Sequence, residues 1–135
     1  MAKWTDAGEN RVADTLFDDQ AVDATLYLGL YTSPTSEPAE TAVDSDLTEP
    51  SGGAYARIAL TRGTWVVTAS AAAYAQQTFT ATGAAWGNTY GYTISTASSS
   101  TTAGSVLMAV ENFSDGPYNI GDGDSIKITP TVTVT

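Results

Sequence analysis

The sequence predicts an all-β protein: an antiparallel β-sandwich of about seven short strands with a short N-terminal α-helix, forming one domain over residues 1–135. Three observations point there. Residues 25–32 (TLYLGLYT) alternate with a period of two, placing Leu26, Leu28 and Leu30 on one face and Tyr27, Gly29 and Tyr31 on the other. Further short apolar and β-branched runs recur between Gly-, Pro- and Ser-bearing turns. Only one stretch, near the N-terminus, has helical spacing.

That stretch opens the chain. Asp6-Ala7-Gly8-Glu9 fits a capping box, with Asp6 as N-cap, and predicts a helix over residues 7–17. Val12, Ala13, Leu16 and Phe17 then fall along one stripe. Residues 1–24 are read as this helix with its arm. The leucine face of residues 25–32 is expected in the core, and its tyrosine face under a loop or a neighbouring subunit. Residues 33–51 hold three prolines and five acids, which reads as a long acidic surface loop.

Gly52-Gly53 then releases the chain into a strand over 54–60, since glycine takes positive φ without a Cβ clash. Arg57 falls within this strand. A half-buried guanidinium needs an acidic partner, so Arg57 is expected to act as a structural clamp. Residues 65–69, 74–81, 89–96 and 105–112 read as further strands, with Phe79 as an inward anchor; residues 70–73 read as a bend. Residues 97–104 (ASSSTTAG) are a flexible polar loop. Residues 125–135 close the sheet with Ile126, Ile128, Val132 and Val134, and Pro130 makes this an edge strand or a bulged one.

Charge is unevenly placed. The net charge is −10: residues 1–50 hold eleven acids and two bases, residues 51–110 no acid and two arginines, and residues 111–135 four acids and one lysine. An overall acidic chain without a basic patch argues against nucleic-acid partners and against anionic membranes. No apolar run approaches the ~20 residues of a membrane span. The N-terminus lacks the apolar core of a signal peptide, which predicts synthesis and retention in a cytoplasm. The uncharged middle either forms the core or packs against other subunits.

Chemistry is sparse. The chain has no cysteine and no histidine, which removes disulfides, thiolate sites and the commonest general base. The pairs Asp18-Asp19 and Asp44/Asp46 read as solvated acids, so no catalytic residue, cofactor or metal is expected. Gly121-Asp122-Gly123-Asp124, with Asp115, resembles part of a calcium loop but supplies too few oxygens, and a hairpin turn is the better reading. Asn112-Phe113-Ser114 matches a glycosylation acceptor, a pattern common by chance. Trp65, Trp86, Tyr90 and Tyr92 form a candidate sugar platform, although aromatics in small sandwiches more often fill the core or an interface. The candidate interface comprises Trp4, Leu16, Phe17, Tyr27, Tyr31, Trp65, Trp86, Tyr90 and Tyr92.

The order of motifs is distinctive: an Asp-Ala-Gly-Glu-Asn helix, then Leu28-Gly29-Leu30-Tyr31-Thr32-Ser33-Pro34, then acids, then Gly52-Gly53-Ala54-Tyr55-Ala56-Arg57, a Trp86-Gly87 corner and a late Gly121-Asp122. It resembles small virion structural proteins of tailed bacteriophages. The resemblance implies a β-sandwich component of the particle, made in the host bacterial cytoplasm and located in the virion. A capsid decoration (cement) protein is the first expectation. A tail, neck or fibre component is the second, and a carbohydrate-binding module the third. The implied partners are the major capsid protein or other virion proteins, with homo-oligomers, a trimer among them.

Overall fold

The computed structural model describes residues 1–133; Val134, assigned above to the last strand, lies outside them. The described residues form twelve strands and one α-helix. In chain order these are β1 (Lys3–Trp4), α1 (Asp6–Phe17), β2 (Thr25–Tyr31), β3 (Ile58–Thr61), β4 (Val66–Thr68), β5 (Ala71–Ala73), β6 (Gln77–Thr80), β7 (Gly87–Thr89), β8 (Gly91–Ser95), β9 (Leu107–Asn112), β10 (Tyr118–Ile120), β11 (Ser125–Ile128) and β12 (Thr131–Thr133). The fold is mostly β with a single short N-terminal helix, as the alternation predicts. The strands are shorter and more numerous than seven, because turns split the expected ones. Tyr90 divides residues 87–95 into two strands, and Pro130, which has no N–H, separates β11 from β12.

A five-stranded sheet of order β1-β9-β8-β2-β3 is the main layer. All of its pairings are antiparallel. A second layer is built from the pairs β7–β10 and β6–β11 and from a three-stranded sheet of order β12-β5-β4. The core lies between the layers. Leu28, Leu30, Leu60 and Ile94 from the main sheet pack in one cluster with Phe79, Ile126, Ile128, Ile120 and Val132. Leu26 is only partly buried at the margin of this face.

The other face of the main sheet carries the acidic loop, while α1 packs on β9 and borders the opening between the two layers. The tyrosine face of β2 lies under that loop: Tyr31 is fully buried with Ala42, Leu47, Leu107 and Val110. The helix differs from its sequence reading in two respects. Its N-cap is Thr5, not Asp6: the Thr5 hydroxyl accepts the Gly8 amide at 3.0 Å and donates to the Leu107 carbonyl. The start therefore moves one residue, with Gly8 at the third helical position. In addition, the apolar stripe of α1 does not pack inward. Gly8 is the buried residue of the helix, pressed against the Met108 backbone so closely that a Cβ would collide with its carbonyl. Val12, Ala13, Leu16 and Phe17 are exposed.

The predicted strand over 54–60 also shortens. Gly52, Gly53 and Ala54 all have positive φ, so a turn persists to Tyr55 and the ladder begins at Ile58. The 70–73 bend resolves into a two-residue turn, Ala69-Ser70, between β4 and β5, with Ala69 at φ 54°.

Candidate functional site

Two constructions stand out, one polar and closed, the other apolar and open. The closed one surrounds Arg57. On the loop-facing side of the main sheet, Gly29 leaves space that the Arg57 side chain fills: a Cβ there would lie 3.1 Å from Nε. The guanidinium grips Asp44 with two bonds, Nη1 to Oδ2 at 2.9 Å and Nη2 to Oδ1 at 2.8 Å. Its Nε donates to Glu49 at 2.7 Å and Nη1 to the Ala97 carbonyl at 3.0 Å. The side chains of Arg57 and Asp44 are 1% and 2% exposed. Asp44 also accepts from the Ser95 and Ser105 hydroxyls, and Glu49 from the Ser100 amide and the Tyr55 hydroxyl.

These contacts set the electrostatics. Burial alone would raise the Glu49 carboxyl, but the hydrogen bonds from Arg57 and Tyr55 outweigh it and hold the group below its ordinary value. Burial also raises the Tyr55 phenol, with Glu49 adding to the effect. One guanidinium faces two carboxylates, and the Ser95, Ser105 and Tyr55 hydroxyls and the Ser100 amide supply the remaining donors, so every ion in the cluster is hydrogen-bonded, as buried ions must be. Nothing in it faces a substrate. It ties the acidic loop to the sheet.

The open construction is a groove between α1 and the β4–β5 hairpin, with a cavity of about 470 Å³. Val12 and Leu16 of α1 form one wall, Val67 and Ala72 the other, and Ile94, Met108 and Ala109 reach the floor from the core. The groove is thus a place where the two layers do not close. Trp4 and Trp65 also line it, and both are part-buried; the Trp4 indole N–H donates to the Thr133 carbonyl at 2.9 Å, and Trp65 meets Tyr74 edge-on. Arg11, paired with Asp23 at 3.0 Å, and Arg62 sit among the lining residues. The lining is otherwise almost wholly apolar.

Of the nine candidate interface residues, the structure brings Trp4, Leu16 and Trp65 to this groove, and Phe17 follows Leu16 with 88% of its surface exposed. Tyr27 and Tyr90 are part-buried on the loop-facing side. Tyr31, Trp86 and Tyr92 are buried within the chain and are not available to a partner. The Trp86 indole N–H donates to the Gly52 carbonyl at 3.1 Å, and Tyr92 OH donates to Glu111 at 2.6 Å. With Trp86 and Tyr92 inside, Trp65, Trp86, Tyr90 and Tyr92 form no exposed aromatic face for a sugar. In the late turn, Asp122 accepts from the Gly83 amide and Asp124 from the Gly121 amide, so both carboxylates serve the backbone. Val22, Val66 and Val67 were not singled out in the sequence; the run of β-branched residues within an uncharged stretch is the signal that marks the last two.

The model of the family described as "Podophage GP4 fiber I protein gp80" matches residues 3–134. The chain belongs to that family. It is therefore a phage virion structural protein, and the match covers α1, the acidic loop and both layers alike. No curated protein matches the chain. Among the described residues no helix is long and apolar enough to cross a membrane.

Proposed function

We propose that this protein is a fibre component of the phage tail, acting by packing against other virion proteins and not by catalysis. The match to a fibre-protein family along 3–134 carries the reading. It favours the tail or fibre over the capsid-decoration role that the motif order first suggests. The physical supports are a rigid two-layer body, a loop locked by buried ion pairs, and an open apolar groove on one side. Two of the loop carboxylates, Asp44 and Glu49, are both engaged by Arg57. A rigid body with one sticky face suits a repeated building block, because little conformational entropy is lost on assembly.

The test is localisation in the particle. Purified virions carrying an epitope-tagged copy are labelled with gold-conjugated antibody and imaged. Label at the tail or its fibres is the expected result. Label spread over the head would restore the cement-protein reading, and a protein missing from purified particles would remove the virion role altogether.

A further inference from the structure

Strand β4 is the outer strand of the sheet β12-β5-β4, so one of its edges carries backbone N–H and C=O groups with no strand beside them. Natural proteins guard such edges with shortness, charge, proline or a bulge. β4 reads Val66-Val67-Thr68: it is short, but it carries no charge, proline or bulge, and it exposes its two valines by 67% and 71%. Residues 63–110 contain no Asp, Glu, Lys or Arg. The β4–β5 hairpin therefore carries no charge, and the charged residues lining the groove beside it are Arg11, Arg62 and Asp23, so a second acidic copy meets no excess of negative charge there.

The faces of β4 differ. Val67 pairs with Ala72, which pairs in turn with Val132, and all three line the groove. Val66 and Thr68 point to the opposite face. Val12, Leu16, Val22 and Val67 line the groove and are 37–71% exposed, so the apolar surface beside this edge is continuous from β4 to α1. A partner seated on the edge would cover this surface as the centre of an interface, which in stable pairs buries ~800 Å² per partner.

We propose that β4 is a self-association edge: the β4 strands of two copies pair antiparallel, and each copy covers the other's groove. Like-with-like pairing is two-fold, so the product is a dimer. The inference extends the fibre reading by naming the partner at this face, and its test does not depend on where the protein sits in the particle.

The chain has no cysteine, so a single introduced thiol reports only contacts between copies. Cysteine is placed in turn at Val66, Val67 and Thr68, and at Val43, an exposed position on the acidic loop, as the control. Under mild oxidation, at least one β4 variant forms a disulfide-linked dimer at least tenfold faster than the control. By light scattering the wild-type chain has twice the single-chain mass, and Val67→Lys halves it with an unchanged circular dichroism spectrum. A wild-type chain of single mass at all concentrations overturns the proposal. So does a Val67→Lys variant that keeps the double mass, a three-membered ring, or a control that crosslinks as fast as β4. Gold label on the head together with a β4-linked dimer would overturn the fibre role and leave this edge standing.

Discussion

Arg57 ties the acidic loop to the main sheet with four hydrogen bonds. Replacing it with alanine strands Asp44, whose side chain is 2% exposed, without its cation. The expected loss is about 3–5 kcal/mol, read from urea unfolding. A loss under about 0.5 kcal/mol would mean that the ion pairs contribute almost nothing. The need for a partner was legible in the sequence, because a lone arginine in an apolar strand cannot stay unpaired. Which acids answer it was not. The loop offers five, and only the path of the chain over Gly29 selects Asp44 and Glu49. Glu49 also sets an acid limit. Its carboxyl titrates lower in the folded state than the ordinary 4.5, so its contribution is present above that value and is lost as pH falls through the folded one. Melting temperature should therefore decline below about pH 4.5, and Glu49→Gln should flatten part of that decline at the cost of lower stability near neutrality.

At the scale of elements, α1 shows how a single register step misleads. Asp6 and Thr5 are both good caps, and only the docking of Gly8 on Met108 decides between them. Thr5→Ala removes the cap and leaves the buried Leu107 carbonyl without its hydroxyl partner, so a loss of about 1–2 kcal/mol is expected by chemical denaturation. Thr5→Ser should keep most of that stability; if it is as damaging as alanine, the threonine methyl matters and the hydroxyl does not. The stripe Val12-Ala13-Leu16-Phe17 has the periodicity of a core-facing helix. Periodicity reports that a face is apolar, not what covers it. The tyrosine face of β2 makes the same point in reverse: alternation separates Tyr31 from Leu30 but cannot tell a covering loop from a covering subunit. The clean alternation of β2 was readable because both of its neighbours are strands. The Ala71–Ala73 strand was not, since alanine carries little strand preference and the pairing comes from β4 and β12.

For the whole molecule, the distribution of charge tracks the architecture. Eight of the eleven acids of the first fifty residues lie in α1 and the loop over 33–51, and the uncharged middle supplies β3 to β8 and most of β9. Stability should also have an alkaline limit. Burial raises the Tyr31, Tyr55 and Tyr92 phenols above their ordinary 10.0, so their contribution is complete below that pH and is lost as pH rises beyond it. Thermal scans from pH 6 to 12 should show a plateau that breaks above about 10, and a melting temperature unchanged to pH 12 would contradict the buried phenols. One of these tyrosines has a further effect on assembly. β3 pairs with β2 only as far as Leu28, and beyond it the Leu30 amide donates to the Tyr55 hydroxyl at 2.9 Å, with the Leu30 carbonyl 3.3 Å from the same oxygen. A phenol stands there in place of a neighbouring strand, and Glu49 and Arg57 anchor it from behind. That seam of the main sheet is plugged from within the chain, so it cannot recruit a strand from outside. A sheet margin closed in this way leaves the chain fewer backbone edges through which strands can add, which limits the valency of any strand-mediated contact.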